Sequence, residues 1–122
     1  VLGVTILTSL DKKQTVKYYK EKNINMLVKK FARYAKNNNL NGLVCSPLEI
    51  AVVRKAIGNK MTLVVPGIRL ENKSKNKKDD QKRTLTPKEA IKLGADYLVI
   101  GRPIVESQNP LETIKSINQS IK

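Results

Sequence analysis

Histidine and tryptophan are absent from this chain, and phenylalanine and cysteine occur once each. Without histidine, the commonest general base and the commonest zinc ligand are both gone. The one thiol, Cys45, cannot close an internal disulfide. It ends the apolar run Leu43-Val44-Cys45 and reads as a buried, unreactive side chain. A lone buried cysteine suits a reducing compartment, so a cytoplasmic location is expected. No run of about 18 apolar residues occurs, and no membrane span is expected. Nor does a basic segment lead into an apolar stretch of the secretory kind. Aromatic residues make up only 4 % of the chain, so its core must be aliphatic.

Carboxylates are also few: ten Asp and Glu stand against 24 Lys and Arg, a net charge of +14. Such an excess raises the question of nucleic acid. The excess is mostly lysine, however, and it is spread along the chain. Base recognition favours arginine forks and stacking aromatics, which are scarce here. The charge therefore reads as a solvated, lysine-rich surface, and no nucleic-acid partner is expected.

What is present is a short repeating pattern. At 122 residues the chain holds one domain at most. Its apolar runs are Val1 to Leu7, Gly42 to Cys45, Met61 to Val65 and Tyr97 to Ile100. They are continuous rather than alternating, as in parallel strands covered on both faces. The first reads as the middle of a buried strand, which predicts that the chain is a piece of a longer protein.

Between the runs lie helical patterns. Ile24, Leu27, Val28, Phe31 and Ala32 recur at spacings of three and four and predict a helix from about Asn23 to Asn37. Ser46-Pro47-Leu48-Glu49 and Thr86-Pro87-Lys88-Glu89 are helix starts, each with a hydroxyl cap, a proline and a glutamate. Their helices are expected to end at Gly58 and Gly94. A last helix begins near Asn109-Pro110. Strands alternating with helices give right-handed crossovers and a parallel sheet, and four such units are half of an eight-fold (β/α)8 barrel. An open doubly wound sheet is the competing layout. It carries a glycine-rich turn after its first strand, and Thr8-Ser9-Leu10-Asp11 is not one.

The candidate ligand residues all follow predicted strands, and strand C-termini form the active face of a barrel. Thr8 and Ser9 follow the first run; their hydroxyls suit either a ligand ring or a helix cap. Arg69 follows Pro66-Gly67, a rigid break where glycine allows close approach. Gly101 and Arg102 follow the last run. There a bare backbone N–H and a planar guanidinium suit a phosphate, or serve as a plain turn and a solvated charge. Gln81 is a neutral amide able to donate to a phosphate oxygen. It closes the polar stretch from Leu70 to Lys82, which is either a solvated loop or a lid. Its position between Arg69 and Gln81 favours the lid.

Taken in order, Val4-Thr5-Ile6-Leu7-Thr8-Ser9, Gly42-Leu43-Val44-Cys45-Ser46, Val65-Pro66-Gly67-Ile68-Arg69, Asp80-Gln81-Lys82-Arg83, Thr86-Pro87 and Gly94 to Ile104 resemble orotidine 5′-phosphate decarboxylases of the bacterial type, over essentially the whole chain. The resemblance implies a TIM (β/α)8 barrel of which residues 1–122 are the C-terminal half, about strands 5 to 8. It implies a homodimer that converts orotidine 5′-monophosphate to uridine 5′-monophosphate and carbon dioxide in pyrimidine synthesis, with no metal or organic cofactor. By position, Thr8 and Arg69 would contact substrate, Gln81 would belong to the phosphate lid, and Gly101 and Arg102 would grip the phosphate. The family's catalytic lysine lies in a D-x-K-x-x-D motif on an earlier strand. No such motif is present here, so no catalytic residue is assigned and the isolated chain is expected to be inactive. The lid is also longer and richer in lysine than is usual in the family. Two alternatives are a sister sugar-phosphate decarboxylase or aldolase, against which the PGIR and DQ motifs argue, and a non-catalytic module binding a phosphate ligand.

Overall fold

The structure, a computed structural model, describes residues 1–6, 10, 12–70 and 85–122. Four strands form one sheet: β1 (Leu2–Val4), β2 (Gly42–Val44), β3 (Thr62–Pro66) and β4 (Tyr97–Val99). Their order is β1-β2-β3-β4 and all three pairings are parallel, with Val4 opposite Val44, Val44 opposite Val64 and Val64 opposite Tyr97. Strand order follows chain order without reversal. A doubly wound sheet reverses at its switch point, so the barrel layout is the one found.

Helices fill each crossover. α1 (Lys12–Tyr19) and α2 (Ile24–Asn37) join β1 to β2. A 3-10 turn (Pro47–Glu49) leads into α3 (Ile50–Ile57) before β3. α4 (Pro87–Leu93) precedes β4, and α5 (Arg102–Val105) and α6 (Pro110–Ser120) follow it. The helix starts are those expected from the side chains. The Asn23 side chain accepts the Met26 N–H at 3.1 Å, that of Thr86 the Glu89 N–H at 3.3 Å, and that of Asn109 the Glu112 N–H at 3.3 Å. Each cap satisfies a donor the helix cannot pair internally. α1 and α5 are the helices no pattern predicted.

The core lies between the sheet and the helices. Leu43, Leu63 and Val65 reach from β2 and β3 into it and meet Val28 and Ala32 of α2 and Ile50 and Val53 of α3, all fully buried. The other face of the sheet differs from the expectation of two covered faces. Among the described residues, Leu2, Val4, Tyr97 and Val99 are exposed. They alternate with the core-facing positions, as strand geometry requires. An apolar sheet face is thus left bare. Also among the described residues, no helix is long and apolar enough to cross a membrane.

Candidate functional site

The C-terminal ends of the four strands form one rim. Thr5 follows β1, Ser46 follows β2, Arg69 lies just beyond β3, and Gly101-Arg102 lie just beyond β4. Neighbouring strands in a sheet are about 4.8 Å apart, and β3 and β4 pair up to Pro66 opposite Val99. Arg69 and Gly101-Arg102 therefore leave from adjacent strand ends on the same rim. Thr8, Ser9, Gln81 and nearly all of the expected lid lie outside the described residues.

Local structure places Arg69. Gly67 turns the chain at φ +81°, a conformation other residues rarely adopt. Ile68 then drops into the core, almost wholly buried, which sends Arg69 the other way, half-buried. The Arg69 backbone N–H donates to the Leu85 carbonyl at 3.1 Å. That bond ties Leu85 to the residues just beyond β3. After β4, the Gly101 carbonyl accepts from Ile104 and Val105 at 2.8 and 3.1 Å. Open space lies where a side chain on Gly101 would be, and Arg102 is exposed beside it.

On the β1–β2 side the rim carries a buried carboxyl group. Glu49 is 7 % exposed. Its Oε2 accepts the Ser46 backbone N–H at 3.2 Å, and its carboxyl also hydrogen-bonds the Ser46 and Thr5 hydroxyls. Burial pushes its pKa up, and those hydrogen bonds oppose the rise only in part. A carboxyl whose folded pKa exceeds its unfolded value contributes stability below the unfolded pKa and loses it as pH rises through the folded one. Glu49→Gln, which stays neutral throughout, should therefore gain stability relative to the natural chain as pH rises above about 4.5, the unfolded value. Urea titrations at acid and neutral pH check this; a constant difference would contradict it.

Cys45, next to this group, is buried and its thiol is pushed up to about 12 by burial, then by the Glu49 charge, with Arg54 opposing. It should not react with a thiol reagent at neutral pH until the chain unfolds. Rapid labelling of the folded chain would refute that. A cleft of about 800 Å³ opens elsewhere, between α4 and α6, lined by Leu70, Thr86, Lys88, Glu112 and Ser116 among others. It includes neither Arg69 nor Arg102, which lie at the strand ends. No group of three or more metal-ligating side chains stands among the described residues.

Residues 1–117 match the family model described as orotidine 5′-phosphate decarboxylase / HUMPS family. The chain belongs to this family. Among similar curated proteins, the orotidine 5′-phosphate decarboxylase of Coxiella burnetii is 45 % identical over 122 residues, all of this chain and 50 % of that protein. That of Glaesserella parasuis is 43 % identical over 121 residues, 99 % of this chain and 51 % of that one. The crystal structure of the Lactobacillus acidophilus decarboxylase matches with a TM-score of 0.77 at 28 % identity, covering 99 % of this chain and 48 % of that one. The chain thus spans about half the length of the decarboxylases it matches, and its four-stranded parallel sheet corresponds to about half of their barrel.

Two features of the rim were not legible as such in the sequence. Glu49 was readable only as the third residue of a helix cap. Its burial follows from the apolar residues on either side, Leu43-Val44-Cys45 before it and Ile50 after it. Thr5 lay hidden within an apolar run. Neither announces a contact to the other, because Thr5 follows β1 and Glu49 lies on the turn after β2.

Proposed function

We propose that this chain is the C-terminal, substrate-gripping half of an orotidine 5′-phosphate decarboxylase barrel, about strands 5 to 8. The observation that carries the reading is the placement of Arg69 and Gly101-Arg102 at adjacent ends of parallel strands, in a chain of this family. In this reading Arg102 and the Gly101 N–H hold the phosphate of orotidine 5′-monophosphate, joined by Gln81 from the lid. Arg69 and Thr8 contact the rest of the substrate. The intact enzyme is a cytoplasmic homodimer that uses no cofactor.

The phosphate is remote from the bond that breaks. Its binding energy contributes to rate only by positioning the reacting ring and excluding water. At the ring, the bond between C6 and the carboxylate breaks, carbon dioxide leaves, and the electron pair remaining on C6 takes up a proton. This chain carries no D-x-K-x-x-D motif to supply that proton, so the lysine comes from the other half of the barrel. Among the described residues, the bare apolar face and the unpaired edges of β1 and β4 support this reading.

The test is reconstitution. The chain is co-expressed with the half of the Coxiella burnetii decarboxylase that it does not match. The pair is expected to form uridine 5′-monophosphate from orotidine 5′-monophosphate, while the chain alone forms none. A co-purifying pair without turnover would overturn the reading, as would turnover by the chain alone.

A further inference from the structure

Two helix starts in this chain share one motif and differ in where their glutamate lies. At α4, the exposed Glu89 carboxylate accepts the Thr86 backbone N–H and hydroxyl, both at 2.8 Å, and these bonds hold its pKa below the usual range. At the 3-10 turn, Glu49 makes the same kind of bond to Ser46 but is buried. Starting a helix requires only the first arrangement. What Glu49 has in addition is Thr5, from a different strand.

Thr5 is itself buried, and its hydroxyl donates to the Val44 carbonyl at 3.2 Å. The Thr5 hydroxyl stands between the Val44 carbonyl and the Glu49 carboxyl group, and the Ser46 N–H donates to Glu49 Oε2, so the ends of β1 and β2 are tied across the rim.

We propose that Glu49 is a positioning residue: its buried carboxyl group links Thr5 at the end of β1 to Ser46 at the end of β2 and fixes the two strand ends that face the base of the nucleotide. This rests on the nucleotide reading above. The phosphate groups sit beyond β4, and β2 lies two strands away, about 10 Å at ordinary strand spacing. A nucleotide anchored by its phosphate at β4 lays its ring over β1 and β2. Glu49 touches no reacting atom in this arrangement; it acts through the residues it holds.

The test compares two ligands sharing a phosphate, uridine 5′-monophosphate and ribose 5-phosphate, titrated into the 122-residue chain, its Glu49→Ala variant and its Glu49→Gln variant. Alanine is expected to weaken the nucleotide about tenfold, the scale of losing one buried hydrogen-bond partner, and to leave ribose 5-phosphate nearly unchanged. Glutamine can donate to Thr5 and accept from Ser46, and should restore the nucleotide to within about threefold. Equal losses for both ligands, or none, overturn the inference. Amide hydrogen exchange reads the tie without any ligand. Alanine but not glutamine should speed exchange at Ser46, with Leu63 on the opposite rim as the unaffected control. If the natural chain binds neither ligand, the nucleotide reading fails; the exchange result still decides the tie, and unchanged Ser46 exchange overturns it.

Discussion

Arg102→Ala is expected to weaken uridine 5′-monophosphate by roughly 2–4 kcal/mol, the scale of losing a charge-assisted contact in a binding site, and to leave uridine itself unaffected. Arg102 begins α5 directly after Gly101, so its backbone is fixed while its side chain stays exposed at the rim. A guanidinium presents donors in a planar fork that matches two phosphate oxygens at once. Lysine keeps the charge and loses the fork, so Arg102→Lys should fall between the natural chain and the alanine variant. Calorimetric titration of nucleotide and nucleoside into the reconstituted pair separates the outcomes. Equal weakening of both ligands would mean that Arg102 supports the fold or the ring, and the phosphate assignment would fall.

The second large effect lies at the other end of the strands. Arg54, on α3, is 11 % exposed. Its Nε donates to the Gly94 carbonyl at 2.6 Å, its Nη1 to the Gly58 and Met61 carbonyls at 3.0 and 2.8 Å, and its Nη2 to Asp96 Oδ2 at 2.5 Å. The same Asp96 oxygen accepts the Leu63 N–H at 2.7 Å. One side chain thus ties α3 to the start of β3 and to the turn entering β4. Gly94 fits this arrangement twice over. Its φ of +111° ends α4, and a side chain there would press on Arg54 Cγ at 3.0 Å. Arg54→Ala strands several carbonyls and a carboxylate at once. Breaking a buried pair costs about 3–5 kcal/mol; because Asp96 is 44 % exposed and water can reach it, we expect about 2–4 kcal/mol. Arg54→Lys should recover little, since a single nitrogen cannot reach the four acceptors that Nε, Nη1 and Nη2 serve from three positions. Urea unfolding measures the loss, and a change below about 1 kcal/mol would show that the contacts are incidental.

The sequence disclosed elements whose signals are local. Asn23, Thr86 and Asn109 marked helix starts because a cap is a contact within one turn, and α2 was visible because its core contacts recur on one face. The four strands matched the four apolar runs, β3 running one residue further to Pro66, for the same reason. α1 stayed hidden because Lys12–Tyr19 holds one aliphatic side chain, Val16, among lysines and tyrosines, too few for an apolar stripe. The expectation of two covered sheet faces followed from continuous Val, Ile and Leu; the residues that would cover the second face are not among those described. The strand-end placement of Arg69 and Gly101-Arg102 was legible because each follows a single strand. It was not legible where a side chain's meaning depends on a partner far along the chain. Glu49 with Thr5 and Arg54 with Asp96 are both of that kind.

The separation of Arg54 from the strand-end rim has a practical side. The Arg54 contacts and the proposed ligand contacts lie at opposite poles of the same short strands. Selection for heat tolerance can therefore work on the Arg54 pole, and selection for a new phosphorylated ligand on the other, with little interference between them. A library that randomises each pole separately should yield improvements that combine additively.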